Sequence, residues 1–169
     1  MDMTEMFKKF AIPVLAAAIA LSGSAFAQAS EDLKAAVRPF YEKLLSAPNA
    51  KNMPAQAEKV VVEKWVSIPT PRGGKDRAGL VKTLKGFGKA VPDLKWEIQE
   101  MLVDGNRVIV RSIATGTPLK PFFGVAPKGN SFKIMTIDIH TVENGKIVKS
   151  YHVEDWARAI RQVAGKKKK

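Results

Sequence analysis

The chain has 169 residues, a formal net charge of +12 and no cysteine. This length suits one domain with a core large enough to stand on packing alone, and the missing cysteine excludes disulfide staples. The basic balance raises nucleic acid as a partner. Zinc-finger spacing, a helix-turn-helix and an aromatic-basic RNP strand are all absent, so no nucleic-acid binding is expected.

Lys8-Lys9, the apolar run Ala11 to Leu21 and Ala25-Phe26-Ala27 have the layout of a secretory signal peptide, with cleavage expected before Gln28. The run is too short and wrongly flanked to span a bilayer. The expected organisation is a signal peptide over 1–27, one domain over 28–165 and a basic tail, Lys166 to Lys169. Export without disulfides points to the bacterial periplasm. The tail reads as a solvated end or a weak contact with anionic surfaces, worth about 1 kcal/mol per lysine.

Three helices are predicted next. The first runs from Glu31 to Ala47, capped by Ser30 and ended by Pro48-Asn49, with Leu33, Val37, Phe40, Tyr41, Leu44 and Leu45 on one stripe. The second spans Ala55 to Trp65 and stops before Pro69. Ser67 to Asp76 reads as loop. The third covers Lys75 to Ala90, burying Leu80, Val81, Leu84 and Phe87.

Strands follow. Leu94 to Val103 alternates like a sheet wet on one side, Asp104-Gly105-Asn106 turns the chain, and Arg107 to Gly116 returns. Thr117 to Asn130 is a Pro-, Phe- and Gly-rich loop. Two adjacent phenylalanines cannot share one strand face, so of Phe122 and Phe123 one is expected to pack down and the other to line a pocket mouth. Trp156 to Ala164 reads as a closing helix. Helices and then antiparallel strands make an α+β layout.

The densest chemistry sits on the hairpin Ile134 to Trp156, turned by Asn144-Gly145, the strongest short hairpin signal. A regular ladder from that turn pairs His140 with Lys149 and Asp138 with Tyr151. It places Asp138, His140, Lys149, Tyr151 and Asp155 on one face, and Ile137, Ile139, Val148, Ser150 and His152 on the other. With the two histidines on opposite faces, no metal site is expected. His152 reads as a surface or interface residue. Asp138, between Ile137 and Ile139, is costly unless paired, and Tyr151 is the expected donor. His140 reads either as a proton-transfer group or as an exposed residue near the turn. Asp155 reads either as the N-cap of the closing helix or as a pocket acid/base. Trp65 and Trp96 read as core with pocket lining as a second role. No G-x-S-x-G, P-loop or dinucleotide motif occurs.

The helix ending in Pro92-Asp93-Leu94, the turn D-G-N-R-V, the F-x-G-x-x-P-x-G loop at Phe122 to Gly129 and the D-I-H…N-G-K-I…D-W hairpin together resemble the SnoaL-like polyketide cyclase, or ester cyclase, family. The resemblance covers about residues 30 to 163. It implies a nuclear-transport-factor-2-like cone: a curved antiparallel sheet wrapped round the N-terminal helices, enclosing an apolar pocket, and a homodimer. It also implies cofactor-free acid/base chemistry on a small apolar carbonyl or ring compound. Asp155, Asp138 and His140 are then the catalytic candidates, and Tyr151, Phe122, Phe123, Trp65 and Trp96 the substrate-binding ones. Export favours a competing reading, a non-catalytic binding or assembly module on the same fold.

Overall fold

The computed structural model describes residues 12–69 and 75–165. Lys8-Lys9, residues 70–74 of the expected loop and the tail Lys166 to Lys169 lie outside the described residues. The chain divides into two compact units, Met1–Asp32 and Leu33–Lys169. In the first, the described residues are helical, with Gln28 Nε2 donating to Asp32 Oδ1 one turn on (2.8 Å). The sheet, the remaining helices and the candidate site all belong to the second. No helix among the described residues is long and apolar enough to cross a membrane.

Helix α1 runs Ile12–Pro39 and continues as a π-helical turn, Phe40–Leu45. Ser30 lies inside it, so the expected cap at that position is not one. The change of pitch has a cause in Pro39, which has no N–H and whose ring crowds the preceding turn. The Ser46 amide then bonds Tyr41 O, five residues back, at 2.9 Å. This turn buries Phe40, Tyr41 and Leu44.

Helix α2, Met53–Val60, is shorter than predicted, and Val61–Ile68 is strand β1. The apolar run Val60-Val61-Val62 suits either state, and β-branched residues take the strand where an edge is free to pair. Trp65 therefore projects from a sheet and not from a helix. Helix α3, Arg77–Ala90, is capped by Asp76, whose carboxylate accepts from the Gly79 amide at 2.8 Å. Strands β2 (Lys95–Asp104), β3 (Arg107–Gly116), β4 (Phe132–Glu143) and β5 (Lys146–Glu154) and helix α4 (Trp156–Ala164) complete the chain.

The five strands form one open sheet in the order β1-β5-β4-β3-β2. Three of the four pairings, β2–β3, β3–β4 and β4–β5, are antiparallel, as expected. The exception is β1, which pairs parallel with β5 and makes the sheet mixed. The α+β architecture stands.

The β4–β5 hairpin corrects the predicted register. Asn144 and Gly145 both take positive φ (50° and 72°), as the turn requires. Glu143 faces Lys146 and Val142 faces Ile147, but the ladder then slips by one residue and Thr141 faces Lys149. The extra residue, Val148, is a β-bulge. Beyond it, His140 pairs with Ser150, Asp138 with His152 and Thr136 with Glu154. A regular ladder would have turned Lys149 inward beside Ile147 with no partner, and the bulge avoids that. One residue exchanges the two faces. Tyr151 points away from the core and is exposed, while Ser150, His152 and Glu154 join Asp138 and His140.

Candidate functional site

Strand β4 buries Phe132, Ile134, Thr136, Asp138, His140 and Val142 and exposes Met135 and Ile137. For three consecutive inward positions its polar side chains lie inside and its apolar ones outside. Buried polar groups need partners, and these have them. Tyr41, from the π-turn, donates its hydroxyl to Asp138 Oδ2 at 2.8 Å and lies 2.8 Å from His140 Nε2. His140 Nδ1 is 2.7 Å from Ser150 Oγ, which accepts from the Trp65 indole N–H at 3.0 Å. Thr136 Oγ1 accepts from the Trp96 indole at 3.2 Å and meets Ser112 Oγ at 2.6 Å.

Between this face, helix α3 and the start of α4 lies a cavity of about 330 Å³. Phe40, Trp65, Leu84, Phe87, Trp96 and Trp156 form its apolar wall, and Asp138, Ser150, His152, Glu154, Ser67 and Lys75 its polar one. Ser67 Oγ lies 2.9 Å from His152 Nε2, and His152 Nδ1 lies 2.9 Å from Glu154 Oε1. Among the described residues no fully buried polar side-chain atom lacks a partner. Asp138 Oδ1 makes no hydrogen bond with them, so it is the oxygen that Asp138 shows to the cavity.

The electrostatics follow from burial. Desolvation pushes the Asp138 carboxyl up from 3.8 to about 7; the Tyr41 hydrogen bond opposes this, the Glu154 charge adds to it and His152 opposes it. Burial, with help from His152, drives His140 down to about 3, so this imidazole is neutral at physiological pH. Burial and the Asp138 charge hold the Tyr41 phenol well above its ordinary value. Lys75 is lowered by desolvation, with the Glu154 charge opposing.

Of the predicted catalytic residues, only Asp138 lines the cavity. His140 is wholly buried behind Tyr41 and Phe40, with ring centroids 5.8 and 5.1 Å away. Asp155 caps α4, accepting from the Arg158 amide at 3.0 Å, and is exposed. Trp65, Trp96 and Phe123 line the cavity. Phe122 is buried, stacked on Phe132 (5.4 Å, 6°), and Phe123 is 53% exposed. Tyr151 lies on the opposite face under Lys149 and does not line this cavity.

The argument against a metal from opposite faces also falls, because His140 and His152 share a face. The described residues nevertheless hold no cluster of three or more His, Cys, Asp or Glu placed to bind an ion. Sequence reasoning missed Tyr41, Ser67, Ser150, His152 and Glu154 as site residues. The visible signal was the polar column Thr136, Asp138 and His140 at alternate positions, which demanded donors from another element.

Comparisons with known proteins bear on the family and the fold. The SnoaL-like polyketide cyclase profile matches residues 35–163. Among solved structures, TsrD from Streptomyces laurentii is 23% identical with a TM-score of 0.67, over 78% of this chain and 97% of that one. A candidate polyketide cyclase from Bacillus cereus ATCC 10987 is 26% identical (TM-score 0.64; 78% of this chain, 80% of that one). A SnoaL-like polyketide cyclase from Agrobacterium tumefaciens C58 is 19% identical (TM-score 0.59; 72% and 93%). A search of curated protein sequences finds no significant match. With the profile spanning most of its length and the same fold in these neighbours, the chain belongs to the SnoaL-like polyketide cyclase family.

Proposed function

We propose that the cavity binds a small apolar carbonyl or ring compound and that Asp138 moves a proton on it without a cofactor, as in a cyclisation or isomerisation. One observation carries this reading. A carboxyl titrating near 7 has one oxygen held by Tyr41 and the other turned to an apolar cavity. A group with that value is both acid and base near neutral pH, where proton transfer is most effective. The indole and phenyl walls supply area for a planar ligand and exclude water.

The test uses 5-nitrobenzisoxazole, a two-ring probe of general bases in apolar pockets. The base takes the C3 proton, the N–O bond breaks, and a nitrile and a coloured phenolate form. Turnover with a midpoint near pH 7, lost at least tenfold in Asp138→Asn, is the expected result. Turnover that survives Asp138→Asn sinks the reading. Retained ligand binding without any turnover selects the non-catalytic module.

Two further readings belong here. Export rests on Lys8-Lys9, the apolar run and Ala25-Phe26-Ala27, whose alanines and phenylalanine are exposed. A mature protein from the periplasmic fraction beginning at Gln28 is the expected product, checked by intact mass. A homodimer is supported by the apolar outer sheet face, with Met135 51%, Ile137 41% and Val153 72% exposed. Light scattering on the wild type and on Val153→Lys tests it.

A further inference from the structure

His140 and Tyr41 are buried titratable groups that the proposed chemistry does not touch, and their hydrogen-bond geometry gives them a role. We propose that Trp65, Ser150, His140 and Tyr41 form a one-way chain of hydrogen bonds that fixes His140 as the neutral Nε2–H tautomer and confines the exchangeable proton of Asp138 to Oδ1. The role in catalysis rests on the reading above; the tautomer does not.

The direction comes from counting protons. An indole N–H can only donate, so Ser150 Oγ is an acceptor from Trp65 at 3.0 Å. The single Ser150 proton then needs an acceptor, and His140 Nδ1 stands 2.7 Å away. With Nδ1 accepting, the neutral ring carries its proton on Nε2 and donates it to the Tyr41 oxygen, 2.8 Å away. Tyr41 keeps its own proton for Asp138 Oδ2, at 2.8 Å.

The alternative tautomer fails at two points. With Nδ1 protonated, the Ser150 proton loses its acceptor, and whenever Asp138 is ionised the one Tyr41 proton must serve both a bare Nε2 and the carboxylate. A doubly protonated ring strands the same Ser150 proton and places a cation in a fully buried site. Only one arrangement fills every contact in both states of Asp138 and gives the Ser150 proton an acceptor.

The consequence falls on Asp138. In both of its protonation states Oδ2 remains the acceptor of the Tyr41 hydrogen bond, so a proton taken up by the carboxyl goes to Oδ1. That is the oxygen open to the cavity, whose other titratable lining groups are Lys75, His152 and Glu154. Trp65, Ser150, His140 and Tyr41 are thus positioning residues, acting through Asp138.

The test is ring-nitrogen NMR on the full chain. Two-bond proton–nitrogen correlations should show His140 as the Nε2–H form from pH 5 to 8. An Nδ1–H form, a mixture or an imidazolium in that range overturns the chain, whatever the turnover. In Ser150→Ala the fixed polarity is lost and Tyr41 can turn to His140. The midpoint of the pH–rate curve for 5-nitrobenzisoxazole should then rise by about 1 unit, and Ser150→Thr, which keeps the hydroxyl, should restore it. A Ser150→Ala curve lowered in height with its midpoint unmoved also overturns the proposal. If Asp138→Asn stays active while His140 is Nε2–H, the function reading falls and the chain stands.

Discussion

Asp138 and His152 are direct partners across the β4–β5 ladder, and a single extra residue makes them so. Between the Val142–Ile147 and Thr141–Lys149 pairs, Val148 has no partner of its own. Without that bulge the regular ladder places His152 outside and Tyr151 inside. Deleting Val148 joins Ile147 to Lys149 and makes the ladder regular with every inward residue unchanged. The deletion variant is expected to keep the Asp138–His152 cross-strand contacts in NMR and the Tyr41–Asp138 hydrogen bond. Loss of those contacts in a folded variant would show that the bulge does more than set parity.

Burial of Asp138 has a signature in stability. Below about pH 4 the carboxyl is neutral in folded and unfolded chains alike. As pH rises from there to about 7 only the unfolded chain ionises it, so stability falls; above 7 the folded protein ionises too and the loss levels off. A shift of this size corresponds to ~4 kcal/mol. Asp138→Asn does not titrate and should gain on the wild type by about that amount between pH 4 and 8. Urea melts at several pH values measure the gap, and a constant gap contradicts the assignment.

Tyr41→Phe removes the hydrogen bond that holds the Asp138 anion and leaves the His140 N–H without an acceptor. The expected loss is about 1–3 kcal/mol, since a buried donor is left unsatisfied. The Asp138 titration should move further up, because the removed bond favoured the ionised form. Carboxyl carbon NMR reads that midpoint, and a downward movement would contradict the geometry.

Phe122 and Phe123 are neighbours in sequence with opposite duties. Phe122→Ala empties a site packed by Phe132, Phe87 and Trp156 and should cost about 3–5 kcal/mol. Phe123→Ala removes a half-exposed ring at the cavity and should cost about 0.5 kcal/mol or less. Its effect belongs in the KM of the ring probe, which should rise. Melts and probe titrations on the two variants separate the roles.

Asp155→Ala removes an N-cap and should cost about 1 kcal/mol of stability. Probe turnover at a temperature where the variant is folded should match the wild type. A large drop in turnover there would return Asp155 to the site.

Local signals carried far in this chain. Asn144-Gly145 located the hairpin because only a few residues tolerate two positive φ angles in succession. Asp138 between two isoleucines announced a buried carboxyl with a phenolic partner, and the structure supplies a tyrosine, though Tyr41 and not Tyr151. What stayed hidden depends on contacts distant in sequence. The bulge at Val148 answers to the cost of burying Lys149, which no turn signal encodes. The strand at Val61–Ile68 forms because β5 offers it an edge, and with it come Trp65 and Ser67. Glu154 stands two residues from His152 on the same face of β5, and only the slipped register turns that face toward Asp138.

The link between Tyr41 and Asp138 joins helix to sheet, and this ties chemical competence to the integrity of the core. Should the π-turn lift from the sheet, water would reach the carboxyl, its titration would slide back toward 3.8, and its strength as a base would fade. On the proposed function, a loosened or half-unfolded molecule is therefore expected to lose turnover, because Asp138 keeps its raised titration only in the well-packed protein.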